Sequence, residues 1–297
     1  MNLLITGAWQ SAYENILALE QLGHRVVFMQ QEKEGLPCDA EWIEGVICNG
    51  LFLYHKIEEF KNLRYIQLTS AGFDRIPMDY VEEHGIEIHN ARGVYSIPMA
   101  EFAIAGVLQI YKQSRFFYEN QRKHKWEKHR GLLELSGKNV CIVGCGSVGT
   151  ECAKRFKAFG CEIIGIDLFP RKDAFYDQML GLDKFEEVLP YADVVVLTLP
   201  LTDETKHLVD GDMMIHLKDG AVLVNIARGA IIDTNALIKS LGRLGGAVLD
   251  VFEEEPLNEY NPLWRMDNVI LTPHNSFVGS GNDPRLSKLI IKNLENV

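Results

Sequence analysis

The sequence predicts an α/β protein with two parallel sheets, each covered by helices on both faces, an arrangement called doubly wound. Two observations lead to this prediction: short apolar strands alternate with helical segments, and the alternation runs in two separate series. Because neighbouring parallel strands need a crossover segment between them, such alternation favours buried parallel sheets. A length of 297 residues also favours two domains over a single core.

The first series predicts a sheet in the N-terminal part of the chain. The segment Ser11–Leu22 has apolar residues at helical spacing and is followed by Gly23, a residue type common at helix ends. Short apolar runs on either side of this helix have the length of buried strands. The predicted strands are Leu3–Thr6, Arg25–Met29, Gly45–Cys48, Tyr65–Leu68 and Glu87–His89.

The second series follows a long helical segment that runs from Pro98 to about Gln121. It contains six predicted strands with crossovers, the number found in a complete dinucleotide-binding sheet. Helices are predicted at Gly149–Phe159 and Thr234–Leu241, and a last helix, Pro284–Glu295, is expected to pack on the first domain. The six predicted strands are Val140–Val143, Glu162–Ile166, Val194–Leu197, Ala221–Asn225, Gly246–Leu249 and Asn268–Leu271.

The composition is that of an ordinary globular protein, with 47% hydrophobic and 24% charged residues. The net charge of −11 disfavours nucleic acid as a partner, because such binding is driven by a positive field. A locally basic stretch at 122–130 does not change this expectation. No run approaches the roughly 18 apolar residues of a membrane helix, so no membrane partner is expected.

The six cysteines are interpreted as small core hydrophobes in a reducing compartment. They form no CxxC pair and no cysteine–histidine spacing typical of zinc, so no metal site is predicted. The N-terminus MNLLITGAWQ lacks the basic region and apolar run of a signal peptide. A cytoplasmic location is therefore expected.

A glycine-rich turn opens the second series. Gly144, Gly146 and Gly149 form a G-x-G-x-x-G pattern between the strand Val140–Val143 and a predicted helix. The first glycine permits a tight turn, the second lets a pyrophosphate approach the backbone, and the third lets the helix pack closely on the strand. The helix N-terminus adds unpaired N–H groups and a partial positive charge.

An acidic residue completes this fingerprint. Asp167 ends the next strand, at about the 20-residue distance expected for a carboxylate that binds the adenosine ribose. Such a carboxylate accepts hydrogen bonds from the ribose hydroxyls and repels a 2′-phosphate, so NAD is favoured over NADP. Arg171 and Lys172 follow closely and could soften that preference.

Four polar residues follow late strands of this sheet, at the edge where open α/β sheets bind ligands. They are Arg228, Asp250, Glu255 and His274. An arginine can bind a carboxylate bidentately, a histidine can move a proton, and a glutamate can hold the imidazole in one tautomer. Reduction of a 2-oxo acid needs these three groups. The alternatives are a snorkelling arginine, a structural histidine, a strand-end aspartate cap and a solvated glutamate within Glu253–Glu255.

Five sequence motifs, in this order, resemble the D-isomer-specific 2-hydroxyacid dehydrogenase family, most strongly from about residue 95 to 276. They are GCGSVG, TLPLTDET, NIARG, DVFEEEPL and TPH. The resemblance implies a Rossmann-type NAD domain at 97–274, inserted in a flavodoxin-like substrate domain formed by 1–96 plus 275–297. It also implies a homodimer built through the 98–130 region, where Trp126 fits an interface anchor.

The family's functional residues map onto this sequence in three sets. The resemblance implies that Arg228 binds the substrate carboxylate, His274 is the acid/base and Glu255 orients it. The implied NAD-binding residues are Gly144, Gly146, Ser147, Val148, Gly149, Asp167, Pro200, Thr205, Ala227 and Asp250, the last on the nicotinamide carboxamide. The implied substrate-binding residues are Ala71, Gly72, Tyr95 and Arg228.

The chain departs from the family pattern after the histidine, where it has Asn275-Ser276-Phe277. This puts the surroundings of nicotinamide and substrate in question. Glu255 stands where formate-type members have glutamine, which argues against that reaction. Two alternatives stay open: a corepressor-type protein that senses NAD(H) without turnover, and a dehydrogenase of the same fold that oxidises another donor, such as phosphite or formate.

Overall fold

The structure is a computed structural model that describes residues 1–295. The chain divides into two compact units, each described here by itself. Unit 1 comprises Met1–Tyr95 and Gly279–Val297, and unit 2 comprises Ser96–Val278. The sequence predicts that the NAD domain ends at His274. In the structure unit 2 ends four residues later, at Val278.

The strands and helices are numbered together along the chain. The strands are β1 (Asn2–Thr6), β2 (Arg25–Met29), β3 (Gly45–Cys48), β4 (Tyr65–Leu68), β5 (Glu87–His89), β6 (Asn139–Val143), β7 (Glu162–Ile166), β8 (Gln178–Leu180), β9 (Val194–Leu197), β10 (Val222–Asn225), β11 (Gly246–Leu249) and β12 (Val269–Leu271). The helices are α1 (Ala12–Gln21), α2 (Met78–Glu83), α3 (Ser96–Tyr111), α4 (Ser114–Arg122), α5 (Ser147–Ala158), α6 (Phe185–Val188), α7 (Gly211–His216), α8 (Thr234–Ser240) and α9 (Asn282–Leu294).

Unit 1 is built on a parallel sheet with the order β2-β1-β3-β4-β5. Alternate residues of its strands enter different core clusters: Leu4 belongs to one, Leu3 and Ile5 to the other. Because successive strand side chains point to opposite faces, both faces of the sheet are buried. The C-terminal helix α9 lies within this unit. Its buried residues Leu286, Ile290 and Leu294, spaced four apart, join the second cluster.

Unit 2 is built on a parallel sheet of seven strands with the order β12-β11-β10-β9-β6-β7-β8. Strand β9 shows burial on both faces, because Val194 and Val196 enter one core cluster while Val195 and Leu197 enter the other. The two parallel sheets confirm the predicted α/β fold class. The sequence predicts six strands in this unit, and the additional strand β8 is a short one at the edge of the sheet.

The predicted helix from Pro98 to Gln121 is wrong in one respect, because the structure divides it into α3 and α4. Gln113, at the junction, adopts a left-handed conformation with φ of 52°. No L-residue continues a right-handed helix in that conformation, so the chain changes direction there. The junction contains neither glycine nor proline, the residue types that mark helix ends in a sequence.

The cysteines all have free thiols, and five of the six are buried, which confirms that those five are core residues. The sixth, Cys38, is half-buried and packs against the edge of a core cluster. Burial raises the pKa of Cys161 to about 11 and the pKa of Cys152 to about 12. These thiols are therefore protonated at neutral pH and behave as apolar side chains.

Candidate active site

The glycine-rich turn lies where the strand order of unit 2 reverses. Strand β6 has β9 on one side and β7 on the other, so the crossovers leave in opposite directions and open a crevice. Thr198, directly after β9, connects the end of β9 to the end of β6 and the glycine-rich turn. Its N–H donates to the Val143 carbonyl at 2.8 Å, and its hydroxyl donates to the Gly144 carbonyl at 2.6 Å.

The turn has no room for side chains at two of its glycines. Gly144 has φ of +92°, and a Cβ there would lie 2.6 Å from the Leu199 nitrogen. A Cβ on Gly149 would lie 2.1 Å from the Gly144 oxygen. Gly146 caps helix α5, whose first turn contains Ser147 and Val148. The backbone of the turn, free of side chains at its glycines, and the helix N-terminus suit the pyrophosphate of a dinucleotide.

Asp167 is hydrogen-bonded to this turn. Its Oδ2 accepts from the Cys145 N–H at 2.7 Å, and its Oδ1 accepts from the Phe169 N–H at 2.9 Å. Arg171 donates to the Cys145 carbonyl at 2.6 Å, so both peptide groups of Cys145 are held. A carboxylate has about four lone-pair positions, which leaves Asp167 able to accept further hydrogen bonds from a ribose.

Pro200 and Thr205 belong to one turn after β9. The buried Thr205 hydroxyl donates to the Pro200 carbonyl at 2.8 Å and accepts from the Thr202 N–H at 2.7 Å. These two bonds make the turn compact. The resemblance implies that both residues bind the cofactor. In the structure, the Thr205 hydroxyl stabilises the loop that contains them.

The Arg228 turn is shaped by Asn225, which was not among the site residues predicted from the sequence. The buried Asn225 accepts from the Ala227 N–H at 3.1 Å and donates to the Arg228 carbonyl at 2.9 Å. A Cβ on Gly229 would lie only 1.8 Å from the Phe252 carbonyl carbon. The Arg228 turn and the segment that begins at Phe252 are therefore in direct backbone contact.

His274 and Glu255 form a hydrogen-bonded pair. The His274 Nδ1 lies 2.9 Å from the Glu255 Oε2. Because an ionised carboxylate only accepts, Nδ1 is the donor, and Nε2 is the nitrogen that can face a reactant. The other Glu255 oxygen accepts from the Phe252 N–H at 3.0 Å, which fixes the carboxylate. The imidazole is 43% exposed and is therefore accessible to solvent.

Asp250 holds the loop that carries His274. Its carboxylate is fully buried and accepts from the Thr272 hydroxyl at 2.6 Å, the Asn275 N–H at 2.7 Å and the Ser276 N–H at 2.9 Å. His274 itself is held with φ of 50°, a left-handed conformation that few non-glycine residues adopt. The buried carboxylate thus stabilises the strained loop.

The departure from the family pattern, Asn275-Ser276-Phe277, takes part in this arrangement. The first two residues supply the N–H donors to Asp250. The Phe277 ring lies edge-on to the His274 imidazole, with ring centroids 6.2 Å apart. Asn275 and Ser276 therefore hold the His274 loop through Asp250, and Phe277 packs against the His274 ring.

The three consecutive glutamates of DVFEEEPL have different surroundings. All three residues are exposed, and Glu255 is the one that contacts His274. Glu253 contacts the His207 Nε2 at 2.6 Å and accepts from the Thr234 N–H at 2.9 Å, so it ties this segment to the start of α8. Residue chemistry alone does not distinguish these three glutamates; the family resemblance singles out Glu255, and the structure places Glu255 against His274.

The Glu253 contacts predict a pH-dependent contribution to stability. Burial raises the pKa of Glu253, but the hydroxyl and N–H of Thr234 and the imidazole of His207 outweigh it and lower the pKa. A pKa lower in the folded state means that ionised Glu253 stabilises the fold at neutral pH. We expect Glu253→Gln to reduce the free energy of unfolding by about 1 kcal/mol at pH 7.

This difference should shrink as the pH falls below about 4.3, the ordinary glutamate value, and vanish below the lowered folded pKa. Urea unfolding at a series of pH values measures it, with Glu254→Gln as the exposed neighbouring control. A Glu253→Gln effect that is the same at pH 7 and pH 3 would contradict the assignment.

In unit 1, the predicted substrate-binding residues share one loop system. Asn90 donates to the Ala71 carbonyl at 2.6 Å, and the Ser70 hydroxyl donates to the Gly72 carbonyl at 3.1 Å. The Tyr95 hydroxyl donates to the Thr69 carbonyl. The structure thus brings Ala71, Gly72 and Tyr95 together around the end of β4.

Within residues 1–295 no cluster of three or more ligands suited to a metal occurs, and no helix has the length and apolarity to span a membrane.

Comparisons with known proteins identify the family. Residues 104–276 match the model described as "D-isomer specific 2-hydroxyacid dehydrogenase, NAD binding domain". A glyoxylate reductase from Pyrococcus horikoshii is 35% identical over 256 residues, which cover 80% of this chain and 75% of the relative. Glyoxylate/hydroxypyruvate reductase A HPR2 from Arabidopsis thaliana is 36% identical over 246 residues, which cover 80% of this chain and 76% of the relative.

A solved structure extends the similarity to nearly the whole chain. The D-isomer specific 2-hydroxyacid dehydrogenase family protein from Aeromonas salmonicida has 30% sequence identity and a TM-score of 0.83. The match covers 98% of this chain and 93% of that chain. The cofactor is NAD, in agreement with the glycine-rich turn and Asp167. The chain therefore belongs to the D-isomer-specific 2-hydroxyacid dehydrogenase family and is an NAD-dependent D-2-hydroxyacid dehydrogenase.

Proposed function

We propose that this enzyme reduces glyoxylate or a similarly small 2-oxo acid to the corresponding 2-hydroxy acid, with the D configuration where that carbon is chiral. The observation that carries the proposal is the His274–Glu255 pair, joined at 2.9 Å beside the backbone of the Arg228 turn. Several relatives at about one-third identity are glyoxylate reductases, which favours a small substrate.

Three side chains have distinct roles in binding and reducing the substrate. Arg228 binds the substrate carboxylate through its planar fork and polarises the neighbouring carbonyl. His274 donates the proton on Nε2 to the oxygen that develops negative charge. Glu255, on the Nδ1 side, keeps the imidazole in that orientation and stabilises its charged form. When bound, NADH supplies the hydride that is added to the substrate C2.

The remaining residues hold the cofactor and the substrate in place. Asp167 binds the ribose hydroxyls, and Asp250, whose carboxylate is buried, contributes to the nicotinamide site by holding the His274 loop. The other proposed cofactor-binding residues are Gly144, Gly146, Ser147, Val148, Gly149, Pro200, Thr205 and Ala227. Ala71, Gly72 and Tyr95 are proposed to bind the substrate from the unit 1 loop.

We also propose that the enzyme is a cytoplasmic homodimer assembled through the 98–130 region. Trp126, just after α4, is 99% exposed, and Tyr118 on α4 is 60% exposed. Aromatic side chains of this kind are enriched in protein interfaces.

A panel of 2-oxo acids tests the proposed function. We expect NADH oxidation with glyoxylate and small 2-oxo acids, with less activity when NADPH replaces NADH, because Asp167 repels a 2′-phosphate. Arg228→Lys should lower kcat/KM by about 10- to 100-fold, since a point charge cannot reproduce bidentate binding. Tight NADH binding without turnover of any acid would favour the sensing protein, and turnover of formate or phosphite alone would favour the other donor class.

A further inference from the structure

An open surface cavity of about 220 Å³ in unit 1 is lined by several cations. The cavity lies between α9 and the segment that precedes Tyr95. Its lining includes Arg92, Val94, Arg285, Lys288, Leu289 and Lys292. Four of these six residues are basic and none is acidic, although the whole chain carries a net charge of −11. The lining of this cavity is thus basic although the protein as a whole is acidic.

The spacing along α9 concentrates this charge on one helix face. Arg285, Lys288 and Lys292 stand at i, i+3 and i+7, so they lie above one another on the helix surface. The neighbouring stripe, which contains Leu286 and Ile290, is buried in the core and fixes the rotation of the helix. Like charges at these positions repel one another, and an anion between them would relieve the repulsion.

Arg285 is already oriented at this cavity. Its Nε donates to the Val94 carbonyl at 2.8 Å, and its Nη2 donates to the Asn282 side-chain oxygen at 2.8 Å. Both acceptors are neutral, so these bonds fix the guanidinium without neutralising its charge. Within residues 1–295, neither Arg285 nor Lys288 forms an ion pair.

We propose that this cavity binds the phosphate group of a small phosphate monoester. A phosphate carries about −1.5 to −2 charges at neutral pH and three acceptor oxygens, which suits several cations better than a single carboxylate does. The cavity has room for about seven water molecules at about 30 Å³ each, enough for a phosphate and a short organic part. Val94 and Leu289 provide apolar contacts for that organic part.

The site is separate from the residues proposed for the reaction. Its lining contains neither Ala71, Gly72 nor Tyr95, and every lining residue belongs to unit 1, whereas Arg228 and His274 belong to unit 2. The phosphate ester would therefore be an additional ligand, distinct from NADH and the oxo acid. This inference does not depend on the proposed substrate.

Calorimetric titration of the full-length protein with inorganic phosphate tests the proposal. NADH is present at saturation, because free phosphate could otherwise bind at the glycine-rich turn. We expect saturable binding that weakens as the ionic strength rises. The double variant Lys288→Ala/Lys292→Ala should bind about tenfold or more weakly, since two charge-assisted contacts are lost.

A matched control separates the site from a general charge effect. The double variant Lys33→Ala/Lys61→Ala removes the same charge from exposed positions of unit 1 outside the cavity. It should bind phosphate as the unmodified protein does. Absence of saturable binding, equal weakening in the two double variants, or phosphate inhibition that is competitive with the oxo acid would each overturn the proposal.

Discussion

Replacing His274 with alanine should lower kcat for oxo-acid reduction by about 10²- to 10⁴-fold, the usual contribution of a positioned general acid. The variant loses the donor to the developing alkoxide, while the glycine-rich turn and Asp167 are untouched. We therefore expect NADH affinity to stay within about twofold of the original, because the lost interaction acts mainly in the transition state. Steady-state kinetics and fluorescence titration with NADH measure the two quantities.

A second variant distinguishes loss of the acid from collapse of its loop. Glu255→Gln keeps an oxygen that can accept from the His274 Nδ1 but removes the charge that stabilises the imidazolium. The expected fall in kcat is about tenfold, the difference between a charged and a neutral hydrogen bond. Full activity in His274→Ala would remove this residue from the proposed role. Equal losses in both variants would point to Glu255 as more than an orienting group.

Gly229→Ala should have the largest effect on stability, because its Cβ would lie 1.8 Å from the Phe252 carbonyl carbon and 2.4 Å from the Glu253 nitrogen. Both neighbours are backbone atoms in a segment held by Glu255 and Glu253, so neither can move without breaking hydrogen bonds. We expect a loss of more than about 4 kcal/mol, a value reserved for severe backbone or core disruption. Thermal unfolding and the yield of folded protein measure the effect.

Gly242→Ala is the matched control for this substitution. Gly242 also lies in unit 2, has no atom within 4 Å of its would-be Cβ, and does not have a positive φ. Alanine there should leave the melting temperature unchanged or slightly raised, since it restricts the unfolded chain. If Gly229→Ala has the same melting temperature as Gly242→Ala, the Arg228 turn and the Phe252 segment are not in contact.

The buried parallel strands could be predicted from the sequence because each is a short apolar run enclosed on both faces. The strands Gly45–Cys48 and Val194–Leu197 have the predicted bounds. Strand β8 was not predicted, because it lies at the edge of its sheet and Gln178 is exposed. Its position depends on pairing with β7, a contact between distant residues that local pattern does not encode.

The chemistry of the candidate site could also be proposed from residue types and their order. Strand ends in a parallel sheet share one edge, so Arg228, Asp250 and His274 could be placed at neighbouring positions before any coordinates were considered. Residue type and order alone could not distinguish Glu253, Glu254 and Glu255, and only the family resemblance singled out Glu255. All three have the same chemistry and are adjacent in the chain.

The amino-acid sequence thus sufficed for the fold class, the dinucleotide fingerprint and the set of candidate catalytic residues, since these depend on local periodicity and on residue chemistry. The tertiary structure decided what Glu253 and Glu254 contact, why Gly229 must lack a side chain, and where the cations of α9 line an open pocket. Those features depend on distances between segments far apart in the chain, and such distances are set by packing.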